Sequence, residues 1–141
     1  MNIHVKLLND QAKLPTKAHE NDAGWDLYST REATILPGNR TTIKTGISCQ
    51  IPNGYVGLIW PRSGLSVKNG IDILAGVVDA TYRGEIMVCL LNTSRDTVFL
   101  STGTRIAQIL FQEVPRFVLT QASSLDDTDR GEGGFGSSGV N

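Results

Sequence analysis

The sequence has little excess charge, little sulfur and little imidazole. Thirteen Lys and Arg stand against 14 Asp and Glu, a net charge of −1. No basic field is present to coat nucleic acid or hold the chain on an anionic bilayer. An anionic ligand must instead be held by a few well-placed cations and backbone N–H groups. The histidines are His4 and His19, too few to expect a zinc site of nitrogen and sulfur ligands. Cys49 and Cys89 have no CxxC partner and read as two buried strand thiols, which suits a reducing compartment such as the cytoplasm. The longest apolar run, residues 86–91, is far too short to cross a bilayer, so no membrane association is expected. Residues 1–13 alternate where a signal peptide would place a basic region before an apolar block, and no such leader is expected.

An apolar share of 40% with 19% charged residues over 141 positions is that of a globular chain with one core. Period-two alternation dominates. Ile3, Val5 and Leu7 share one face of a first strand, and residues 41–49, 55–60, 85–92, 97–100, 105–111 and 117–120 also read as short strands. Turn signals at Pro37-Gly38, Pro52-Asn53-Gly54, Asn69-Gly70 and Thr102-Gly103 separate them. This is the pattern of an all-β fold, a jelly-roll-like barrel or sandwich. One short helix interrupts it, N-capped by Ser63, running through Leu65 and Val67 and ending at Asn69-Gly70. After Thr120 the composition turns to Ser, Asp and Gly, so residues 1–120 are expected to form the β domain and 121–141 a mobile arm.

Five segments carry residues suited to chemistry. In the tail, Arg130-Gly-Glu-Gly-Gly-Phe-Gly-Ser-Ser-Gly139, the glycines 131, 133 and 136 satisfy GxGxxG. That fingerprint requires a strand before it and a helix after it, and the chain ends too soon for the helix. A Gly/Ser tail is ordinarily a flexible end. Arg130 and Phe135 argue otherwise, because a cation, a stackable ring and close-approaching backbone suit a nucleotide. Pro61-Arg-Ser-Gly-Leu65 places Arg62 beside a helix N-terminus, either an anion site or an incidental surface arginine. In Gly76-Val-Val-Asp-Ala-Thr-Tyr-Arg-Gly-Glu85, a hairpin tip, Asp79 is either a turn-former or a carboxylate that deprotonates a water. Tyr82 packs against a sugar or against a neighbouring strand. Asp26 in residues 23–29 and Gln108 in residues 105–111 interrupt alternation, as edge-strand polar groups or as partners that hold an arginine in place.

In order, AGWDLYS at 23–29, PRSGL at 61–65, GVVDATYRGE at 76–85, RIAQILF at 105–111 and RGEGGFGSSG at 130–139 resemble the five motifs of the homotrimeric dUTPase family. The likeness spans nearly the whole chain. It implies a trimer of jelly-roll-like subunits with three shared active sites, each cleaving dUTP to dUMP and pyrophosphate with Mg²⁺. Such an activity limits uracil incorporation into DNA and supplies dUMP for dTMP synthesis. The site would lie in the cytoplasm, or in the host cytoplasm or nucleus for a viral chain. By the same resemblance, Asp79 activates the water that attacks the α-phosphorus and also contacts the 3′-OH. Tyr82 packs under the deoxyribose, and the backbone around Gly76 and Val77 reads uracil. Arg62, Ser63, Gly64 and Gln108 hold phosphates, with Asp26 behind them. From the tail, Phe135 closes over the base, while Arg130, Gly136, Ser137 and Ser138 close on the γ-phosphate. Mg²⁺ is carried by phosphates and water with no direct protein ligand, and no nucleic acid is bound.

The sequence departs from the family pattern at a few places. Thr81 stands where a second acid is common, Trp25 where Tyr or Phe is usual, Ser66 where Ala is common and Ser138 where Thr is frequent. Two rivals are weighed against this reading. A dCTP deaminase shares the fold but needs a catalytic Glu after the hairpin, for which Glu85 is the candidate, and it lacks this tail. A regulatory binding protein would be expected to carry a long insertion between motifs, and none is seen.

Overall fold

A computed structural model describes residues 1–139; Val140 and Asn141, the last two residues of the expected arm, lie outside them. In order, the elements are β1 (His4–Leu7), β2 (Trp25–Tyr28), β3 (Ala33–Ile35), β4 (Arg40–Lys44), β5 (Ile47–Gln50), β6 (Tyr55–Trp60), α1 (Ser63–Asn69), β7 (Ile71–Leu74), β8 (Val77–Val78), β9 (Met87–Asn92), β10 (Val98–Leu100) and β11 (Arg105–Glu113). The strands form sheets of order β2-β11-β6-β8 and β4-β9-β7, with two-stranded pairs β1-β5 and β10-β3. Every pairing is antiparallel. The result is the jelly-roll-like all-β architecture the alternation implies, with one short helix.

The core is built from β-branched and leucine side chains, among them Leu27, Ile35, Ile43, Ile71, Leu90 and Ile109. Alternation places them inward: β9 buries Val88, Leu90 and Asn92, and β3 buries Ala33 and Ile35. Polar residues are buried as well, among them Ser29, Thr45 and Asn92, and Asn92 has no exposed surface. Its amide nitrogen donates to the carbonyls of Ile35 (2.9 Å) and Asp96 (2.7 Å), and its amide oxygen accepts from Ser94 N–H (3.0 Å) and Oγ (2.7 Å). All of its bonding capacity is met, so the burial costs little. Along β11 the alternation slips. The register shifts between Arg105 and Ala107, so Ile106 and Ala107 are both buried while Gln108 is not. A bulge of this kind reverses the facing of every residue after it.

Several expectations need correcting. The run 41–49 is two strands, because the chain turns at Thr45-Gly46. Gly46 has φ +70°, and a Cβ there would lie 2.7 Å from that of Ala12. The strands β3, β7 and β8 lie outside the runs expected. Residues 117–120 form no strand, and Phe117, Val118 and Leu119 are exposed. Strand propensity reflects packing against a neighbour, and in the single chain this segment has none. Leu7 lies on the same face of β1 as Val5, opposite Ile47, but at the end of the strand it is left exposed. Ser63 opens α1 but does not cap it. The cap position is Arg62 (φ −90°, ψ 131°), and no side chain bonds the first turn. The helix does end at Gly70, in the left-handed conformation, but it buries no residue, and Val67 faces solvent.

Both cysteines are free thiols; Cys49 is buried, whereas Cys89 is only half-buried. Desolvation pushes the Cys49 thiol up from 9.0 to about 11. The thiolate is the reactive form, so Cys49 is expected to stay unmodified by Ellman's reagent at pH 8 in the folded protein and to react on unfolding in urea. The sign of the linkage follows. Folding favours the protonated thiol, so this contribution is intact below pH 9 and is lost as pH rises through about 11. Urea titrations over that range are expected to fall more steeply for the parent than for Cys49→Ala.

Candidate functional site

The described residues bring the singled-out side chains into two clusters. The first grows out of the β2-β11-β6 sheet. Register places Asp26 opposite Gln108, and Gln108 opposite Trp60, so one row across three strands leads to Pro61 and the start of α1. Asp26 is buried, and its carboxylate accepts from Arg62 Nε at 2.8 Å and Arg105 Nη1 at 3.3 Å. Arg62 also reaches the carbonyl of Arg105 (3.3 Å). Gln108 donates from Nε2 to the carbonyl of Pro61 (2.9 Å), tying β11 to the turn that carries Arg62. Gly24 completes the packing. A Cβ at that position would strike Gln108 Oε1 and lie 2.9 Å from Cδ, so the missing side chain is the space Gln108 occupies.

Gly24, Asp26, Arg62 and Gln108 line a polar cavity of about 250 Å³ together with Asp22, Ser63 and Gly64. By helix geometry the N–H groups of Ser63, Gly64 and Leu65 have no intrahelical acceptor. Arg62 and Arg105 share the carboxylate of Asp26, and Asp22 adds a second carboxylate to the lining, so cations and carboxylates balance and the fixed Arg62 guanidinium is what the cavity offers an anion. Fixed cationic N–H groups beside free backbone donors suit phosphate oxygens. Arg105 was quoted in its segment without a role; its sign was its place at the head of the strand paired with β2.

The second cluster sits on the connection between β7 and β9. These strands are antiparallel neighbours, so the connection is a hairpin in topology, but an elaborated one, because β8 leaves it to pair with β6. At its start Ala75 has φ 62° and Gly76 φ 125°. A non-glycine residue in that region costs on the order of 1 kcal/mol and must be held by its surroundings. Ile59 N–H donates to the Gly76 carbonyl (2.8 Å), and a Cβ on Gly76 would lie 2.7 Å from the Ile59 carbonyl oxygen. Beyond β8, a turn closes from Tyr82 N–H to the Asp79 carbonyl (3.0 Å). Gly76, Val77, Asp79 and Tyr82 all line a concavity of about 220 Å³. The Asp79 carboxylate takes part in none of the ion pairs among the described residues. Glu85 is otherwise engaged: its carboxylate accepts from Gly46 N–H (3.0 Å) and pairs with Lys44 (3.4 Å). It anchors the loop and does not point a free acid into a site.

The third set stays apart. Arg130 bonds the Gly133 carbonyl (2.9 Å), Phe135 has φ 49° and is fully exposed, and Gly136, Ser137 and Ser138 are exposed with it. No tail residue lines either concavity, and the two concavities share no lining residue. A further cavity of about 720 Å³ is lined by apolar residues such as Leu14, Trp25, Tyr55 and Phe111 and holds no expected site residue.

Comparison with known proteins is consistent throughout. The family model described as dUTPase matches residues 10–139. The deoxyuridine 5′-triphosphate nucleotidohydrolase of Rhodococcus erythropolis is 49% identical, over 99% of this chain and 87% of its own length. That of Clostridium tetani is 42% identical, over 97% and 96%. Among solved structures, the Staphylococcus bacteriophage 80alpha dUTPase with dUPNHPP superposes with a TM-score of 0.91 at 31% identity, covering 99% of both chains. A variant DUTPase from phage phi11 of S. aureus, described with a structural Mg(II) ion, gives 0.82 at 27%, covering 88% of this chain and 98% of the other.

Removing the shared carboxylate tests the first cluster by itself. Asp26→Asn leaves the half-buried Arg62 and the exposed Arg105 without a counter-charge. Solvent screens Arg105, so the substitution is expected to lower unfolding free energy by about 1–2 kcal/mol in urea titrations, mainly through Arg62. Gly24→Ala is expected to leave stability closer to the parent, because the end of the Gln108 side chain can swing aside.

Proposed function

The chain belongs to the dUTPase family and is an enzyme that hydrolyses dUTP to dUMP and pyrophosphate; from that premise we propose how its residues divide the reaction. The polar cavity takes the phosphates, through the Arg62 guanidinium held by Asp26, the N–H groups of Ser63 and Gly64, and Gln108. The Asp79 carboxylate, exposed at the loop concavity and engaged in no ion pair, orients and deprotonates the water that attacks the α-phosphorus in line. It also accepts from the 3′-OH. Tyr82 floors the deoxyribose and leaves no room for a 2′-OH, and the Gly76–Val77 backbone reads the uracil edge.

The observation that carries this reading is the separation of the pieces. One chain holds a polar cavity suited to phosphates, a carboxylate loop and a glycine-rich tail that do not meet. Three chains in a homotrimer supply all three to each site, with the polar cavity of one subunit, the loop of a second and the tail of the third. Arg130, Gly136, Ser137 and Ser138 then close on the γ-phosphate, and Phe135 closes over the base. Closure excludes water other than the attacking one and strengthens every electrostatic contact inside. On this division residues 1–120 are the folding unit and 121–141 the lid.

Mg²⁺ fits as a companion of the substrate. Among the described residues no group of three or more His, Cys, Asp or Glu is placed to hold a metal, and Asp26 already serves two arginines. Mg²⁺ favours phosphate oxygens and retained water; carried in on the triphosphate, it would supply neutralisation of the charge on the leaving pyrophosphate. No helix among the described residues is long and apolar enough to cross a membrane; we assign the enzyme to the cytoplasm, where its nucleotide substrate is found.

Pyrophosphate release measured with dUTP, UTP, dTTP and dCTP in the presence of Mg²⁺ tests the assignment. Turnover is expected for dUTP alone, and rapid hydrolysis of dCTP would refute the proposed base and sugar recognition. Asp79→Asn is expected to bind a non-hydrolysable dUTP analogue nearly as well as the parent while kcat falls by about 10²–10⁴-fold; weakened binding with kcat retained would remove Asp79 from the base role. Truncation after Thr120 is expected to leave a folded trimer by sedimentation with little activity.

A further inference from the structure

Gly84 is the one glycine of the loop whose need for a missing side chain is set by a residue of the proposed site. Its backbone does not explain it, since Gly84 is not among the residues with positive φ. Space does. The three heavy atoms nearest to where a Cβ would stand all belong to the Tyr82 ring. That Cβ would collide with Oη, and it would lie 2.5 Å from Cζ and 2.8 Å from Cε2. The ring is folded back over the α-carbon of Gly84, and its hydroxyl donates to the carbonyl of Glu85 at 2.9 Å.

The rest of the loop cannot follow the ring if the ring moves. Tyr82 N–H is bonded to Asp79. The Arg83 guanidinium spans the carbonyls of Ala80 (2.6 Å) and Tyr82 (2.9 Å). Glu85 is anchored to Gly46 and Lys44. With the backbone held at these points, a side chain at position 84 is relieved only by rotating the phenol away from Glu85. Tyr82 is 42% exposed, so it has solvent to rotate into once its bond to Glu85 is given up.

We propose that Gly84 is a positioning residue for sugar selection: its bare α-carbon seats the Tyr82 ring at the angle that leaves room for a 2′-deoxyribose and none for a ribose. This rests on the reading of Tyr82 as the sugar's floor, and extends it by naming what sets the floor's height. Gly84 makes no contact with substrate; it acts through the ring alone. A methyl group at position 84 moves the ring and leaves the Asp79 turn in place, so selectivity changes before catalysis does.

The experiment is a cycle of Gly84→Ala, Tyr82→Ala and the double variant. kcat and KM are measured for dUTP and UTP, alongside NMR of the ligand-free protein with ring-labelled tyrosine. With three tyrosines in the chain, the Tyr82 ring signal is identified by its loss in Tyr82→Ala. Gly84→Ala is expected to shift that signal and leave the other two unmoved. It should lower the dUTP-over-UTP ratio of kcat/KM by about tenfold, the scale of one methyl-sized change in a pocket, mainly through KM. In the Tyr82→Ala background the same substitution is expected to change the ratio by less than about twofold, the signature of two residues acting as one. An unshifted ring signal, or an equal loss of selectivity in both backgrounds, overturns the proposal. If the ring signal shifts but Tyr82→Ala itself leaves the ratio unchanged, the seating of the ring by Gly84 stands and it is the sugar-floor reading of Tyr82 that fails.

Discussion

The β-bulge between Arg105 and Ala107 sets the facing of the rest of β11, and the polar cavity depends on that facing. Without the slip, strict alternation from Ile106 would send Gln108 into the core and Ala107 outward. With it, Ala107 and Ile109 pack inward, and Gln108 comes level with Asp26 on one side and Trp60 on the other. The same slip leaves Arg105 at the head of the strand, close enough to share the Asp26 carboxylate with Arg62. A local irregularity in one strand thus aligns a carboxylate, an amide and two guanidinium groups contributed by three segments distant in sequence.

The loop between β7 and β9 uses a different strategy. Its geometry is held from outside, by the Ile59 bond to Gly76 at one end and by Glu85 reaching Gly46 and Lys44 at the other. Just before the first anchor the backbone adopts the unfavourable conformation of Ala75, and between the anchors the loop carries Asp79 and Tyr82. A strained or exposed functional group persists only when its surroundings determine its position. Here the anchors are Ile59 in β6, Lys44 in β4 and Gly46 in the turn that follows it, so the sheets and their connections set the position of the loop. Glu85, the residue that kept a deaminase reading open, acts as one of these anchors.

The tail shows the opposite economy. Its described residues add nothing to the core, and they are ordered by short turns closed by their own backbone and by the side chains of Thr128 and Arg130. Ordering such a glycine-rich segment over a ligand costs conformational entropy, so on the proposed mechanism it closes only when triphosphate and base supply enough contacts to offset that cost. The exposed Phe117, Val118 and Leu119 mark the point where the chain leaves its own core.

The sequence by itself determined the fold class and the membership of the chain. Period-two alternation and turn residues announce themselves locally, and five ordered motifs leave little room for coincidence. Asp26 and Gln108 were already conspicuous as polar interruptions, because alternation defines what should stand there. The tertiary structure decided the rest. Only pairing shows that residues 41–49 are two strands broken at Gly46, that Arg62 and not Ser63 occupies the helix cap, and that residues 117–120 form no strand without a partner. Only packing shows why Gly24 and Gly84 lack side chains, since each leaves room for a neighbour, Gln108 or Tyr82, whose approach depends on the folded backbone. Periodicity and turn chemistry are properties of adjacent residues, whereas bulges, shared carboxylates and the space beside a glycine arise only when distant segments meet.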